Sequence, residues 1–412
     1  MRPTPPRILT VLTYYTPHIS GLTVYARRVV RQLVQRGYPV TVLTSHFRPD
    51  LPKQDRLEGA SVVRSPVLVL VSKGALMPLF LWQAFWLIAR HDLVYLHLPQ
   101  FEAGAVALLT RLLRRPLVVS YQCDIILPSR LLRIVFSWPI ALSHYLACAL
   151  AHRIVTTSDD YADSSQILRR FRKKTTSVPP PIELEGSEGG ATAFRERHRL
   201  GTAPLVGFVG RFAEEKGIHY LVDAVPAVLQ AVPQARFVLA GPTDTVPGER
   251  VHERLAAGIQ ALGPAWLHLG KLSDEELTAF YEAIDVLVLP STNSTESFGM
   301  TQAEAMLAGT PVVATDLPGV REAVRRTGMG LLVPPGDAAA LADATVSVLQ
   351  DSASYQRPAE PVRALFDPAV TAAFYERLFL ELLRTDQAER ASQATVEGQS
   401  DDESGPARMK RR

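Results

Sequence analysis

Two carboxylates and two cations in the C-terminal half of the sequence have the types and spacing to hold a polyol joined to a diphosphate. In STNSTESFGMTQAEAM, Glu296 and Glu304 stand eight residues apart, with Gly299 between them at the expected entry to a helix. A helix entry leaves backbone N–H groups unpaired at a positive end, so the amides of Phe298, Gly299 and Met300 are expected to donate to a phosphate or a sugar hydroxyl. One carboxylate on the loop and another in the second helical turn can face a single cleft and accept hydrogen bonds from hydroxyls of one ligand. By themselves, two glutamates at this spacing fit solvated surface charge equally well.

The second constellation is VGFVGRFAEEKGIHYL. Gly210 and Arg211 follow an apolar run that reads as a strand, Lys216 comes five residues later, and Gly217 precedes a strongly periodic helix. Open α/β sheets bind ligands at the C-terminal ends of their strands. A planar guanidinium fork and a point-charge ammonium there suit a diphosphate, although a solvated loop carries the same residue types.

These residues need a scaffold of strands and crossover helices, and the sequence supplies it twice. Arg7 to Tyr15 reads as a buried strand and is followed by the loop TPHISGLT. Residues Val24 to Arg36 place Tyr25, Val29, Val30, Leu33 and Val34 on one helical face, with Arg27, Arg28, Arg31 and Arg36 opposite or flanking. PVTVLTS is the next strand, and strand, helix, strand within so short a span demands a parallel sheet. LVYLHL, PLVVSY and RIVTTS repeat the signal. After Pro179, Pro180 and Pro181, a Gly-rich and charged stretch reads as a linker, and a second series starts at PLVGFVG and continues through RFVLAG, WLHLG, DVLVLP and PVVAT. The architecture expected is α/β, two doubly wound domains in tandem. Residues 387–412 hold almost no large apolar side chains and are expected to be disordered.

A chain of 412 residues, 47% hydrophobic and 21% charged, has the composition of a globular protein of two domains. Two cysteines, Cys123 and Cys148, exclude a disulfide framework and a cysteine-built zinc site, so a cytoplasmic setting is the expectation. The N-terminus lacks the long apolar region of an export signal. The net charge of +3 hides an asymmetry, for residues 1–183 carry 23 Lys and Arg against 10 Asp and Glu. Such a field attracts anions. The basic residues are scattered and no recognition motif accompanies them, so no nucleic-acid partner is expected.

Two apolar stretches lie in this basic half. Residues 75–89 are too short to span a bilayer and contain Pro78 and Gln83, and residues 134–151 contain Ser137, Pro139, Ser143 and His144. Either both are helices packed on the first sheet, or part of their surface, rimmed by Arg130, Arg133 and Arg153, rests on a membrane without crossing it.

Taken together, the motifs resemble the retaining glycosyltransferases of family 4, sugar-nucleotide-dependent enzymes with the GT-B fold. G-R-x-x-x-E-K-G is matched by Gly210, Arg211, Glu215, Lys216 and Gly217, and E-x-F-G-x-x-x-x-E-A-M runs from Glu296 through Glu304 to Met306. AGTPVVATDLPG, GLLVPPGD and the opening strand with its Gly21 loop match as well, so the resemblance covers about residues 7–385. It implies two Rossmann-like domains facing across a cleft. The N-terminal domain, residues 1–183, would supply the acceptor side and, after a linker at 184–202, residues 203–365 would bind the nucleotide sugar. A C-terminal helix at 366–386 would pack back on the first domain.

The resemblance also implies roles. Glu296 would contact the donor hexose and Glu304 the ribose hydroxyls, while Arg211 and Lys216 neutralise the diphosphate leaving group. Gly21, Gly210, Phe298, Gly299 and Met300 would line the donor, and Leu272 would meet its base through backbone atoms. The co-substrate is a nucleotide-diphosphate sugar, with no other cofactor. No metal is required, in keeping with the lack of a D-x-D pair in the sequence. One departure stands out: the family commonly places a His where VVSYQCDI has Gln122, and Gln can hydrogen-bond but cannot carry positive charge. Asp124 and His97 are further candidates for the sugar or acceptor side, as against a helix cap and a structural histidine. The leading expectation is a hexosyltransferase acting on an acceptor hydroxyl, with a lipid or lipid-linked acceptor reached by docking on an anionic inner membrane face. Two alternatives are a nucleotide-sugar-binding protein with weakened catalysis, suggested by Gln122, and a sugar-nucleotide epimerase of the same architecture. The epimerases lack this E-x7-E and R-x4-K pairing.

Overall fold

Runs of Val, Ile and Leu that stay buried on both faces of a sheet require helices on both sides, and the chain builds two such sheets. The computed structural model describes residues 5–71, 74–125, 130–184, 186, 189–243 and 250–402, with backbone alone at 71, 130–136 and 389–402. The first half runs β1 (Ile8–Val11), α1 (Gly21–Gln35), β2 (Val40–His46), β3 (Gln54–Leu57), β4 (Ala60–Pro66), the hairpin β5 (Val69–Val71) and β6 (Gly74–Leu76), α2 (Phe80–Arg90), and β7 (Leu93–Leu98). It continues through α3 (Ala103–Leu112), β8 (Leu117–Tyr121), α4 (Arg130–Leu150), β9 (Arg153–Thr156), α5 (Asp159–Ser164) and β10 (Thr175–Ser177). Eight strands form one sheet in the order β10-β9-β8-β7-β1-β2-β4-β3, parallel except at the edge strand β3.

The second half runs α6 (Gly190–Arg197), β11 (Leu205–Val209), α7 (Ile218–Ala231), β12 (Arg236–Ala240), α8 (Val251–Ala261), β13 (Trp266–His268), α9 (Asp274–Ala283) and β14 (Val286–Leu289). Then follow α10 (Met300–Leu307), β15 (Val312–Thr315), α11 (Arg321–Thr327), β16 (Gly330–Val333), α12 (Ala338–Gln350), α13 (Ala359–Phe366) and α14 (Pro368–Asp402). Six parallel strands lie in the order β13-β12-β11-β14-β15-β16. The strand order reverses beside β1 in the first sheet and between β11 and β14 in the second. Crevices open at such switch points, and the loops after β1, β11 and β14 emerge there.

The structure departs from the sequence reading in several places. The stretch 75–89 is not one helix, because the hairpin ends at Leu76 and helix α2 starts only at Phe80, beyond Pro78. The presumed linker at 184–202 holds helix α6, and Ile182, Phe194 and Leu200 bury themselves in the second core, where Phe194 meets Phe280 edge to face at 5.9 Å. Residues 387–402 are helical and not disordered, since Ala, Glu, Gln and Arg are good helix formers and here extend an existing helix. Residues 403–412 lie outside the described residues.

The chain closes back on its beginning. Pro368 occupies the first turn of α14, and Tyr375, Phe379 and Leu382 pack into the first domain's core beside Tyr25 and Tyr95. Tyr25 and Tyr375 join hydroxyls at 2.6 Å. The two crossings between domains touch each other, with Ile182 N donating to Phe366 O at 3.0 Å and Thr371 Oγ1 to Pro179 O at 3.0 Å.

His97, a candidate for the cleft, lies instead in this core. Alternation along β7 turns Leu93, Tyr95 and His97 toward α1 and α14, leaving His97 fully buried with its ring 4.3 Å from that of Tyr95. Burial pushes its pKa down to about 3, and that of the buried His144 down to about 4. Both folded-state values lie below the unfolded value of roughly 6.5, so the unfolded chain takes up protons first. Stability should therefore fall as pH drops from about 6.5 toward 4. Urea unfolding followed by tryptophan fluorescence should show a lower midpoint at pH 5 than at pH 7, with a smaller difference in His97→Leu. Equal midpoints in the wild type would contradict this.

Candidate active site

The loop after β11 is fixed by two glycines. A side chain on Gly241 would strike Gly210 O at 2.0 Å, so the ends of β11 and β12 run in contact. Gly217 has a positive φ of 67°, and a Cβ there would lie 1.9 Å from Pro290 O. Only glycine fits this contact, which clamps the β11 loop onto the loop after β14. Thr292 N donates to Glu215 O at 2.9 Å across the same seam.

That seam brings the two sequence motifs together. Lys216 Nζ donates to Glu296 Oε2, and Glu296 Oε1 accepts from Gly299 N at 3.0 Å. Arg211 Nη2 lies 3.2 Å from the largely buried Glu215. Gly299, with φ 75°, starts α10. Its amide, expected to be free for a ligand, is taken by the Glu296 carboxylate, which tightens the turn and fixes the carboxylate in place. Phe298 is buried against Phe366 and shapes the turn from behind, while Met300 faces the first domain within reach of Gly21. Leu272 is half-buried at the entry to α9, packed on the second core.

Glu304 is held by both domains. Its Oε1 accepts from Arg28 Nη2 at 2.8 Å and its Oε2 from Tyr281 OH at 2.8 Å. Arg28 also donates to the carbonyls of Pro181 and Glu183, at 3.2 Å each. Sequence periodicity placed this arginine among the charges bordering the buried face of α1, and nothing in the local pattern marks it as a cleft residue. His18 also escaped notice. It stacks on Tyr14 at 4.5 Å in the β1 loop, and burial, reinforced by the nearby Arg211 charge, lowers its pKa to about 4. It therefore stays neutral at physiological pH, poised to hydrogen-bond without adding charge.

The remaining candidates make hydrogen bonds within the first domain. Gln122 is nearly buried, and its Nε2 donates to Ser120 Oγ at 2.6 Å. Asp124 Oδ1 accepts from Tyr121 OH at 2.6 Å and from Ser165 Oγ at 2.9 Å, so it ties β8 to α5. Tyr161 OH accepts from Asp124 N and donates to Ser294 O, joining that anchor to the Glu296 loop. Asp160 pairs with Arg321 and accepts from Gly319 N at 2.7 Å, a second tie across the cleft.

Two doubly wound domains, facing each other over paired glutamates and cations at the switch point of the second sheet, define a GT-B protein. Residues 203–351 match the family model described as glycosyl transferases group 1, and residues 20–181 match a glycosyl transferase 4-like domain. The chain is 30% identical over 345 residues to the D-rhamnosyltransferase WbpZ of Pseudomonas aeruginosa, covering 82% of this chain and 85% of that protein. The chain belongs to the group 1, family 4 glycosyltransferases. It is also 37% identical over 225 residues to a phosphatidyl-myo-inositol mannosyltransferase of Mycobacterium leprae, covering 52% of this chain and 57% of that protein. The chain thus spans little more than half the length of that relative. Among solved structures, Anabaena HepE in complex with UDP-glucose superposes with a TM-score of 0.72 at 22% identity, over 92% of this chain and 100% of that one.

Glu296→Ala and Lys216→Ala should each lower the rate of glycosyl transfer at least about tenfold, because about 1.4 kcal/mol of lost transition-state stabilisation already gives that factor. Circular dichroism should show both variants folded. Wild-type rates in both would remove the assignment.

Proposed function

We propose that the protein moves a hexosyl unit from a nucleotide-diphosphate sugar to an acceptor hydroxyl with retention of anomeric configuration and without a metal. The observation that carries this reading is Lys216 paired with Glu296 at the second switch point, with Arg211 on the same β11 loop. As the bond from the sugar to the diphosphate stretches, negative charge grows on the departing oxygen, and two fixed cations favour that state over the ground state. Glu296 is held by Lys216 and Gly299 N, and its remaining lone pairs are open to sugar hydroxyls. Glu304, on the helix that Gly299 starts, is assigned the ribose hydroxyls. The departing phosphate oxygen takes the acceptor's proton on the face it leaves, so no protein nucleophile is needed. HepE, crystallised with UDP-glucose, supports a nucleotide sugar as the donor class.

The acceptor side falls to the first domain, through His18 and the β1 loop. A lipid or lipid-linked acceptor is proposed, with peripheral contact to an anionic membrane. The relative named for phosphatidyl-myo-inositol supports this choice. Among the described residues no helix is long and apolar enough to cross a membrane. A second reading, a nucleotide-sugar-binding protein with weakened transfer, rests on Gln122, whose amide is turned to Ser120.

A screen of nucleotide sugars by thermal shift, followed by transfer assays on lipid extracts, tests both readings. Transfer should persist in excess chelator, and the product should keep the donor's anomeric configuration by NMR. Loss of activity on chelation with recovery on adding magnesium or manganese would overturn the charge-neutralisation argument. A stabilising donor with no transfer would favour the second reading.

A further inference from the structure

Away from the cleft, the first domain leaves an apolar face uncovered. Helices α2, α3 and α4 lie side by side on one side of the sheet with α3 in the middle, and Gly104 N donates to Ser143 Oγ at 2.9 Å where α3 meets α4. Ile140, His144, Ala147 and Cys148 turn α4 toward the sheet. Its opposite side presents Trp138, Leu142, Tyr145 and Leu146 to solvent, Trp138 being 73% exposed. On α2, Trp82 and Trp86 are also exposed, their rings 5.7 Å apart. Three of the four tryptophans in the sequence therefore stand on this helical layer. Single exposed apolar residues are ordinary, but a continuous patch marks an interaction surface.

A basic element adjoins the patch. The short 3-10 segment Leu168–Lys174, LRRFRKK, is anchored by the buried Leu168. Phe171 packs on Tyr145 with ring centres 5.0 Å apart, and the Arg170 guanidinium lies 5.9 Å over the same tyrosine ring. Arg172 is neutralised by Asp159 and Asp163, and Lys174 donates to the carbonyls of Ala149 and Ala151 at the end of α4. Arg169, Arg170 and Lys173 have no acidic partner among the described residues. Helices α2, α3 and α4 contain no Asp or Glu at all. The side chains of Arg130 and Arg133, the rim expected from the sequence, lie outside the described residues.

We infer that this face docks on an anionic lipid leaflet, with Trp82, Trp86 and Trp138 at headgroup level and Arg169, Arg170 and Lys173 on lipid phosphates. Tryptophan favours the membrane interface because its ring is apolar and its N–H polar. Basic residues near the surface add salt-sensitive attraction. A second copy of the chain is a poorer occupant, since a two-fold contact would set two cation-rich faces against each other. This surface deepens the proposal of a lipid-linked acceptor, yet docking needs neither donor nor acceptor and can fail independently of it.

The full chain, without donor or acceptor, should sediment with vesicles of phosphatidylcholine and phosphatidylglycerol but not with phosphatidylcholine alone, with a blue shift of tryptophan fluorescence. Binding should weaken as salt rises. Arg169→Ser, Arg170→Ser and Lys173→Ser combined should weaken it about a hundredfold at low salt, and Trp138→Ser should reduce both binding and blue shift. All variants should keep the wild-type thermal response to nucleotide sugars. Equal binding to both vesicle types, none to either, variants that bind like wild type, or a salt-independent dimer in light scattering would each overturn the docking. Docking without glycosylation of any lipid would leave this surface standing and sink the lipid-acceptor reading instead.

Discussion

The cleft depends on the contact between Gly217 and the carbonyl of Pro290. It brings the loops after β11 and β14 so close that Lys216 and Glu296 have no room to avoid each other. A buried charge without its partner costs several kcal/mol, so each side chain is tolerated because the other is present. The pair is then rigid before any ligand arrives. In the proposed reaction such rigidity would matter, since donors and charges that need not reorganise stabilise a transition state most. The same turn spends the Gly299 amide on holding Glu296, exchanging one ligand contact for a fixed carboxylate.

Across the cleft the domains meet through polar ties. Arg28 with Glu304, Asp160 with Arg321, Tyr161 with Ser294, and Thr157 with Ser297 all join the first domain to the second. Polar ties of this kind can be exchanged for water or ligand groups more readily than a packed apolar interface. Glu304 is the telling case, because the carboxylate proposed to hold a ribose is engaged by an arginine of the opposite domain. On that proposal, nucleotide entry and the fit between domains meet on one side chain.

How much of this could be read from the sequence follows from the range of each signal. The Glu296 and Lys216 motifs, and the strands carrying them, are local patterns, and periodicity and spacing expose them. The contact of Arg28 with Glu304 joins residues far apart in the chain, and helical periodicity shows only that Arg28 borders a buried face. For His97 the sequence offers both a cleft role and a structural one, because a strand's pattern does not say whether a residue near its end lies in the core or at the cleft. The linker region looked featureless because its polar residues outnumber the two that matter, Phe194 and Leu200. Residues 387–402 form helix although they lack large apolar side chains, because helix propensity needs none.

The doubled crossing between the domains has a mechanical consequence. The chain leaves the first domain near Pro179 to Glu183 and returns near Phe366 to Pro368, and the two passages are hydrogen-bonded side by side. A body attached by one flexible strand can swivel and twist freely. A body attached by two adjacent strands behaves like a door on a short pair of pins, and its easy motion is a swing about the line through them. Opening the cleft would then follow a single arc, and each closure would return the β1 loop to the same register over the Glu296 turn.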